Sequence, residues 1–142
     1  MMIEPCVLVA VDGGRNDVRI LELAADAALK SERELIVLHV IVVAWDRALE
    51  DSDEEAVLKN KRILDRARGV LDDYSRPRYR GLCLQSRSVG GAIIETARDL
   101  DAELVVMGCR RFLGDQIIDL GPAASFVLSN SPCPVLLWRN PS

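Results

Sequence analysis

The chain of 142 residues contains a single histidine, His39, and four cysteines, Cys6, Cys83, Cys109 and Cys133, that stand far apart. None forms a CxxC pair. A structural zinc site draws on four clustered Cys and His ligands with close pairs, and no such set exists here. Lysine is scarce too, with Lys30, Lys59 and Lys61 against 18 basic residues in all. The net charge of −4 argues against a nucleic-acid-binding surface. No apolar run approaches the ~18 residues of a membrane span. The longest, Leu35 to Trp45, includes His39 and suits a buried strand. The opening Met1-Met2-Ile3-Glu4-Pro5 has no basic region and leads into an apolar run broken at Asp12, so no secretory signal is expected. A cytoplasmic location with reduced thiols is the corresponding expectation. There is no internal repeat, low-complexity tract or linker.

What is present is an ordinary globular balance: 49% hydrophobic and 28% charged residues. That excludes a disordered chain, and the length fits one domain over 1–142. Cys6 to Val11 is an unbroken apolar run ending at Asp12-Gly13-Gly14. Apolar runs without alternation belong to strands covered on both faces, as in parallel sheets. Asn16 or Asp17 then caps a helix whose stripe is Ile20, Leu23, Ala24, Ala27 and Ala28. Leu35 to Ala44 reads as the second strand. Ser52 and Glu55 have capping-box spacing ahead of a long helix with Val57, Leu64 and Leu71 inward, supported by Ile63, Ala67 and Val70. The acidic run Asp51, Asp53, Glu54 and Glu55 suits that helix start, where the dipole favours negative charge. Tyr79 to Arg87 is a more polar strand, expected at the sheet edge. Ser88 caps a third helix with Ile93, Ile94 and Ala97 inward. Leu104 to Met107 is a fourth strand. Cys109 to Leu120 reads as a loop or short turn. Gly121-Pro122 opens a fourth helix with the stripe Ala123, Ala124, Val127 and Leu128, and Val135 to Trp138 is the last strand.

Strand and helix alternate throughout. The expected fold class is α/β: a three-layer, doubly wound, five-stranded parallel sheet with right-handed crossovers. Ligands in such sheets bind beyond the carboxyl ends of the strands, where strand order reverses. Asp12-Gly13-Gly14 and Gly108-Cys109-Arg110-Arg111 are the two strand ends that would face such a crevice.

The stretches Val7 to Gly13, Val37-Leu38-His39-Val40, Ala102 to Gly108 and Ser131 to Leu137, in that order, resemble the universal stress protein family over nearly the whole chain. The resemblance implies sheet order 3-2-1-4-5, an adenine nucleotide alpha hydrolase-like fold and a homodimer. The family divides into ATP binders and members that do not bind ATP. Binders carry a glycine, two residues, a second glycine, nine residues, then glycine followed by serine or threonine. Here Gly108 and Gly121 fit, whereas Arg111 stands for the second glycine and Pro122 for the hydroxyl residue. Glycine lets backbone N–H groups approach an anion. Arg111 either blocks the phosphates or offers a guanidinium. Pro122 has neither the N–H nor the hydroxyl that serine would supply at a helix N-terminus. Losing two charge-assisted hydrogen bonds costs about 3–6 kcal/mol, or about two to four decades of affinity. ATP binding is therefore expected to be weak or absent. By the resemblance, the Asp12 carboxylate and the Val40 backbone would contact an adenine, so AMP or ATP remains the candidate ligand.

Other readings stand beside these. Asp12 also suits a turn, Gly108 and Gly121 suit loop geometry and a helix start, and Arg110 and Arg111 suit a solvated loop. His39 reads as a hydrogen-bonded core residue. Cys109, beside Arg110, is expected to have a lowered thiol pKa. Cys6, Cys83 and Cys133 read as core filler. Trp45 follows the second strand and either flanks a ligand or packs at an interface. The last strand is an apolar edge, best protected by pairing with a second copy across a twofold axis. No hydrolytic base, metal pair or covalent nucleophile can be assigned, so a non-enzymatic regulatory protein of the stress type is expected. The alternatives are an adenine-nucleotide sensor using Arg111 and an interaction module with a protein partner, such as a transporter's regulatory domain.

Overall fold

The computed structural model describes residues 4–50, 53–109, 112–113, 117–118 and 120–140. Its elements are β1 (Cys6–Ala10), α1 (Asp17–Ser31), β2 (Glu34–Val42), α2 (Glu54–Asp73), β3 (Tyr79–Ser86), α3 (Val89–Asp99), β4 (Ala102–Gly108), β5 (Phe112–Leu113), β6 (Ile117–Ile118), α4 (Gly121–Asn130) and β7 (Val135–Trp138). Five strands form one sheet in the order β3-β2-β1-β4-β7, and every pairing in it is parallel. Counting only those five strands, the order is the expected 3-2-1-4-5. The stretch expected to be a loop or short turn differs: β5 and β6 pair antiparallel within it.

Alternation along the strands sends side chains to two cores. Val7 and Val9 of β1 join Leu35 and Val37 of β2 under α1 and α2. Leu8 joins Ile36, Leu38 and Val105 under α3 and α4. The central strands are apolar on both sides because both sides are covered. β3 lies at one edge, and its partial exposure matches its more polar sequence. Leu82 and Leu84 pack together against the α3–α4 side.

Helix ends follow local chemistry. Ser88 accepts from the Gly91 N–H at 3.1 Å and starts α3 as expected. For α2 the cap is Asp53, which accepts from the Glu55 N–H at 3.0 Å. The expected cap Ser52, and Asp51 with it, lie outside the described residues. Val57 does not face the sheet and is 46% exposed; the buried line is Ile63, Ala67 and Leu71. A seven-residue spacing drifts about 20° per step on a helix of 3.6 residues per turn, so Val57 falls about 40° from Leu71, on the side away from Ala67 and Ile63. Val57 instead sits beside Val42–Ala44 at a small surface groove. Leu128 is likewise exposed, and Ala124 and Val127 carry the buried side of α4.

A cleft at the switch point

β1 and β4 are neighbours at the sheet centre. The chain leaves β1 for α1 on one face, and α4, which follows β4, packs on the other. This is the reversal point at which a doubly wound sheet opens a crevice. A cleft of about 810 Å³ lies there. Its floor is made by the ends of β1 and β4. Its walls are the starts of α1, α3 and α4. Three helix N-termini at one cavity favour a negatively charged guest.

The two glycine positions are set by backbone needs. Gly13 has φ +86° and Gly121 φ +80°, a region that side chains rarely adopt. Gly108 allows close packing: a Cβ there would come within 2.9 Å of Ile20 Cδ1. Asp12 is exposed at the cleft, and its carboxylate accepts from the Gly14 N–H at 2.7 Å. The turn reading and the cleft position therefore hold at the same residue.

Asp12, Gly108 and Gly121 are brought together on the cleft. Val40 is buried within β2, and its side chain packs in the α3–α4 core. Leu38 turns its carbonyl to the Val11 N–H of the β1 side, and strand alternation gives the Val40 peptide groups the same direction. Arg111, with Arg110, lies outside the described residues. Pro122 lines the cleft in the first turn of α4, where no side chain caps the helix and no acidic residue stands.

Several cleft residues were not singled out as site residues from the sequence, among them Asp17, Arg15, Arg87 and Asn140. Asp17 is 4% exposed, and its carboxylate accepts from the N–H groups of Gly13 at 2.8 Å and Asp12 at 3.3 Å. Burial pushes its carboxyl up to about 6, against the pull of those two N–H groups and with added repulsion from Asp12. A signal was there: two aspartates bracket a glycine pair at a strand end. Arg87 donates to the Val43 and Ala44 carbonyls and stacks over Trp45 at 5.3 Å from the ring centre. Trp45 is 83% exposed and stacks with Arg87, which lines the cleft. No spacing rule couples residues so far apart in sequence.

The remaining candidates are buried or half-buried. His39 is buried, with Nδ1 2.8 Å from Asn60 Oδ1. Cys109 lines the cleft, but its thiol is raised by burial, with Arg139 opposing, rather than lowered as expected. A half-buried thiol loses more hydration on ionising than one cation returns. Cys6 is pushed up to about 11 by burial. Among the described residues no group of three or more His, Cys, Asp or Glu could hold a metal ion. No described helix is long and apolar enough to cross a membrane.

Fold and cleft together define a doubly wound α/β domain with an anion-favouring crevice between its first and fourth strands. The universal stress protein family model matches residues 6–139, and the chain belongs to that family. It is 34% identical over 137 residues to the "Universal stress protein in QAH/OAS sulfhydrylase 3'region" of Thermus aquaticus, covering 94% of this chain and 97% of that one. It is 25% identical to universal stress protein YxiE of Bacillus subtilis, with the same coverage. Among solved structures, a universal stress protein from Archaeoglobus fulgidus superposes with TM-score 0.81 at 21% identity, over 95% of this chain and 98% of that one. A universal stress protein from the same organism in complex with dAMP gives TM-score 0.78 at 22% identity, over 96% and 98%. A universal stress protein in complex with cAMP gives 0.65 at 20%, over 97% and 98%. The shared architecture is the adenine nucleotide alpha hydrolase-like fold.

Proposed function

We propose that this protein is a cytoplasmic, non-catalytic regulatory member of its family, whose cleft binds an adenine nucleotide with little or no grip on a triphosphate. The neighbours in complex with dAMP and cAMP support the ligand class. The size of the cleft suits a nucleotide, since small-molecule sites commonly run to ~300–1,000 Å³. The observation that carries the reading is Pro122 on the cleft wall. At that point α4 presents a ring in place of a donor, so a β- or γ-phosphate loses a partner there. Protein purified without added nucleotide and then denatured is expected to release far less than one equivalent of ATP. An equimolar release of ATP would overturn the reading.

The same proposal includes a homodimer through β7. That strand is a sheet edge of Val135, Leu136, Leu137 and Trp138. The carbonyls of Pro134 and Trp138 accept from Val105 and Cys109 N–H groups. Alternation therefore turns the peptide groups of Val135 and Leu137 away from β4, ready for a second strand. Sedimentation is expected to give about twice the chain mass of 15.7 kDa. A monomer at micromolar concentration would remove this part.

One further reading, a protein-interaction module, is favoured by exposed Val42, Trp45, Leu49, Val57 and Leu58 on and beside the β2–α2 connection. Retention of a second polypeptide on the native protein, lost on replacing Trp45 with serine, would support it; retention unchanged by that substitution would count against it.

A further inference from the structure

We infer that Asp17 is a proton-responsive positioning residue that sets the geometry and charge of the β1–α1 turn on the cleft. The inference rests on the reading of the cleft as a nucleotide site for its consequence, though not for its geometry. Asp17 opens α1, yet its side chain folds back instead of capping its own helix. It is buried, and it holds two successive N–H groups, those of Asp12 and Gly13. Those are the donors a strand-end turn would otherwise offer to an anion. A resident carboxylate thus occupies the turn from inside. Asp12, whose carboxylate lines the cleft, is tied to the same turn through the Gly14 N–H.

Two carboxyl groups on one short turn repel when both are charged. A proton on Asp17 removes that repulsion and converts one oxygen into a donor facing Asp12. It also leaves one oxygen fewer to accept from the turn's N–H groups. Protonation therefore changes both the charge at the cleft and the hold on Gly13, which at φ +86° depends on its surroundings. The other charged groups about the turn come from several elements. Arg15 is on the turn itself. Arg66 of α2 donates to the Gly13 and Gly14 carbonyls at 3.3 and 3.5 Å. Arg139 follows β7 and acts on Cys109 at the end of β4. The Cys109 thiol is raised by burial, away from neutral pH, so it supplies no transition there.

The sign follows from linkage. Asp17 is raised from 3.8 to about 6, so the folded protein holds a proton there that the unfolded chain has released. The stabilisation this gives is fully present below pH 3.8 and is lost as pH rises through about 6. An anionic ligand near the pair favours the protonated form, so its affinity rises as pH falls through the same range.

The test has two arms. In the free protein, the Gly13 amide resonance is followed from pH 4.5 to 8. A transition near pH 6 is expected in the wild type, absent in Asp17→Asn and moved to lower pH in Asp12→Asn. In the second arm cyclic AMP is titrated at pH 5 and pH 7.5, because its phosphodiester keeps one charge across that range. Binding about three- to tenfold tighter at pH 5 is expected for the wild type, and less than about twofold for Asp17→Asn. A Gly13 amide without a transition, or one unchanged in Asp17→Asn, overturns the inference. So does cyclic AMP binding whose pH response survives that substitution. Absence of cyclic AMP binding at both pH values removes the nucleotide reading instead, and the amide titration alone then decides for or against the role of Asp17.

Discussion

Replacing Pro122 with serine is expected to tighten ATP binding about 10- to 10,000-fold, the worth of one or two regained hydrogen bonds to a charged phosphate. Pro122 sits in the first turn of α4 on the cleft wall. Serine there returns an N–H and a hydroxyl to a helix N-terminus whose dipole already favours the anion. Adenosine, which has no phosphate, is the control and should change by less than about threefold. Stability should move the other way. Proline suits the start of a helix and stiffens the unfolded chain, so the ligand-free variant is expected to lose about 0.4–1 kcal/mol. Calorimetric titration and a thermal melt measure the two effects. Unchanged ATP affinity with adenosine still bound would mean that the phosphates do not reach α4.

The second large effect is on folding. Gly13→Ala is expected to destabilise the protein by about 2–5 kcal/mol. Two costs combine. The residue sits at φ +86°, where a side chain costs about 1–2 kcal/mol. Its Cβ would also lie 2.9 Å from both Cδ1 and Cγ1 of Ile63, a buried residue of α2, and overpacking of this kind costs about 1–3 kcal/mol. Denaturant unfolding should show a lower midpoint with an unchanged slope. A loss below about 0.5 kcal/mol would mean that the β1–α1 turn relaxes freely, and the account of Asp17 as its anchor would weaken with it.

The sheet was legible in the sequence for a simple reason. Cys6 to Val11 and Leu35 to Ala44 are apolar without alternation, and only a strand covered on both faces needs that pattern. Ser88, Gly121 and Pro122 marked their helix starts by side-chain chemistry that acts within one turn. Where the reading failed, geometry beyond one turn decided. Val57 keeps a seven-residue step from Leu64, but helix drift and its place near the β2–α2 connection leave it outside the core. The pairing of Phe112–Leu113 with Ile117–Ile118 spans too few residues for a periodic signal.

The cleft was legible in part. Asp12, Gly108 and Gly121 end strands or begin a helix at the switch point, so topology alone gathers them. Asp17 looked like a helix cap because its sequence position suits one. Its side chain turns back to Asp12 and Gly13 because two N–H groups of the preceding turn lie within reach. Arg87 was hidden because its partners, the carbonyls of Val43 and Ala44 and the ring of Trp45, belong to a different crossover. The Cys109 thiol is raised because burial outweighs Arg139, while Arg110, the neighbour the sequence pointed to, lies outside the described residues.

The proposed adenine-nucleotide site with little grip on a triphosphate is tested most directly by titrating the wild-type protein with ATP and with AMP while following backbone amide resonances. Both nucleotides should perturb the amides of Asp12, Gly13 and Gly108, with ATP no more than about threefold tighter than AMP. Submicromolar ATP binding with AMP at least about 100-fold weaker, or perturbations confined to residues away from the β1 and β4 ends, would contradict the account.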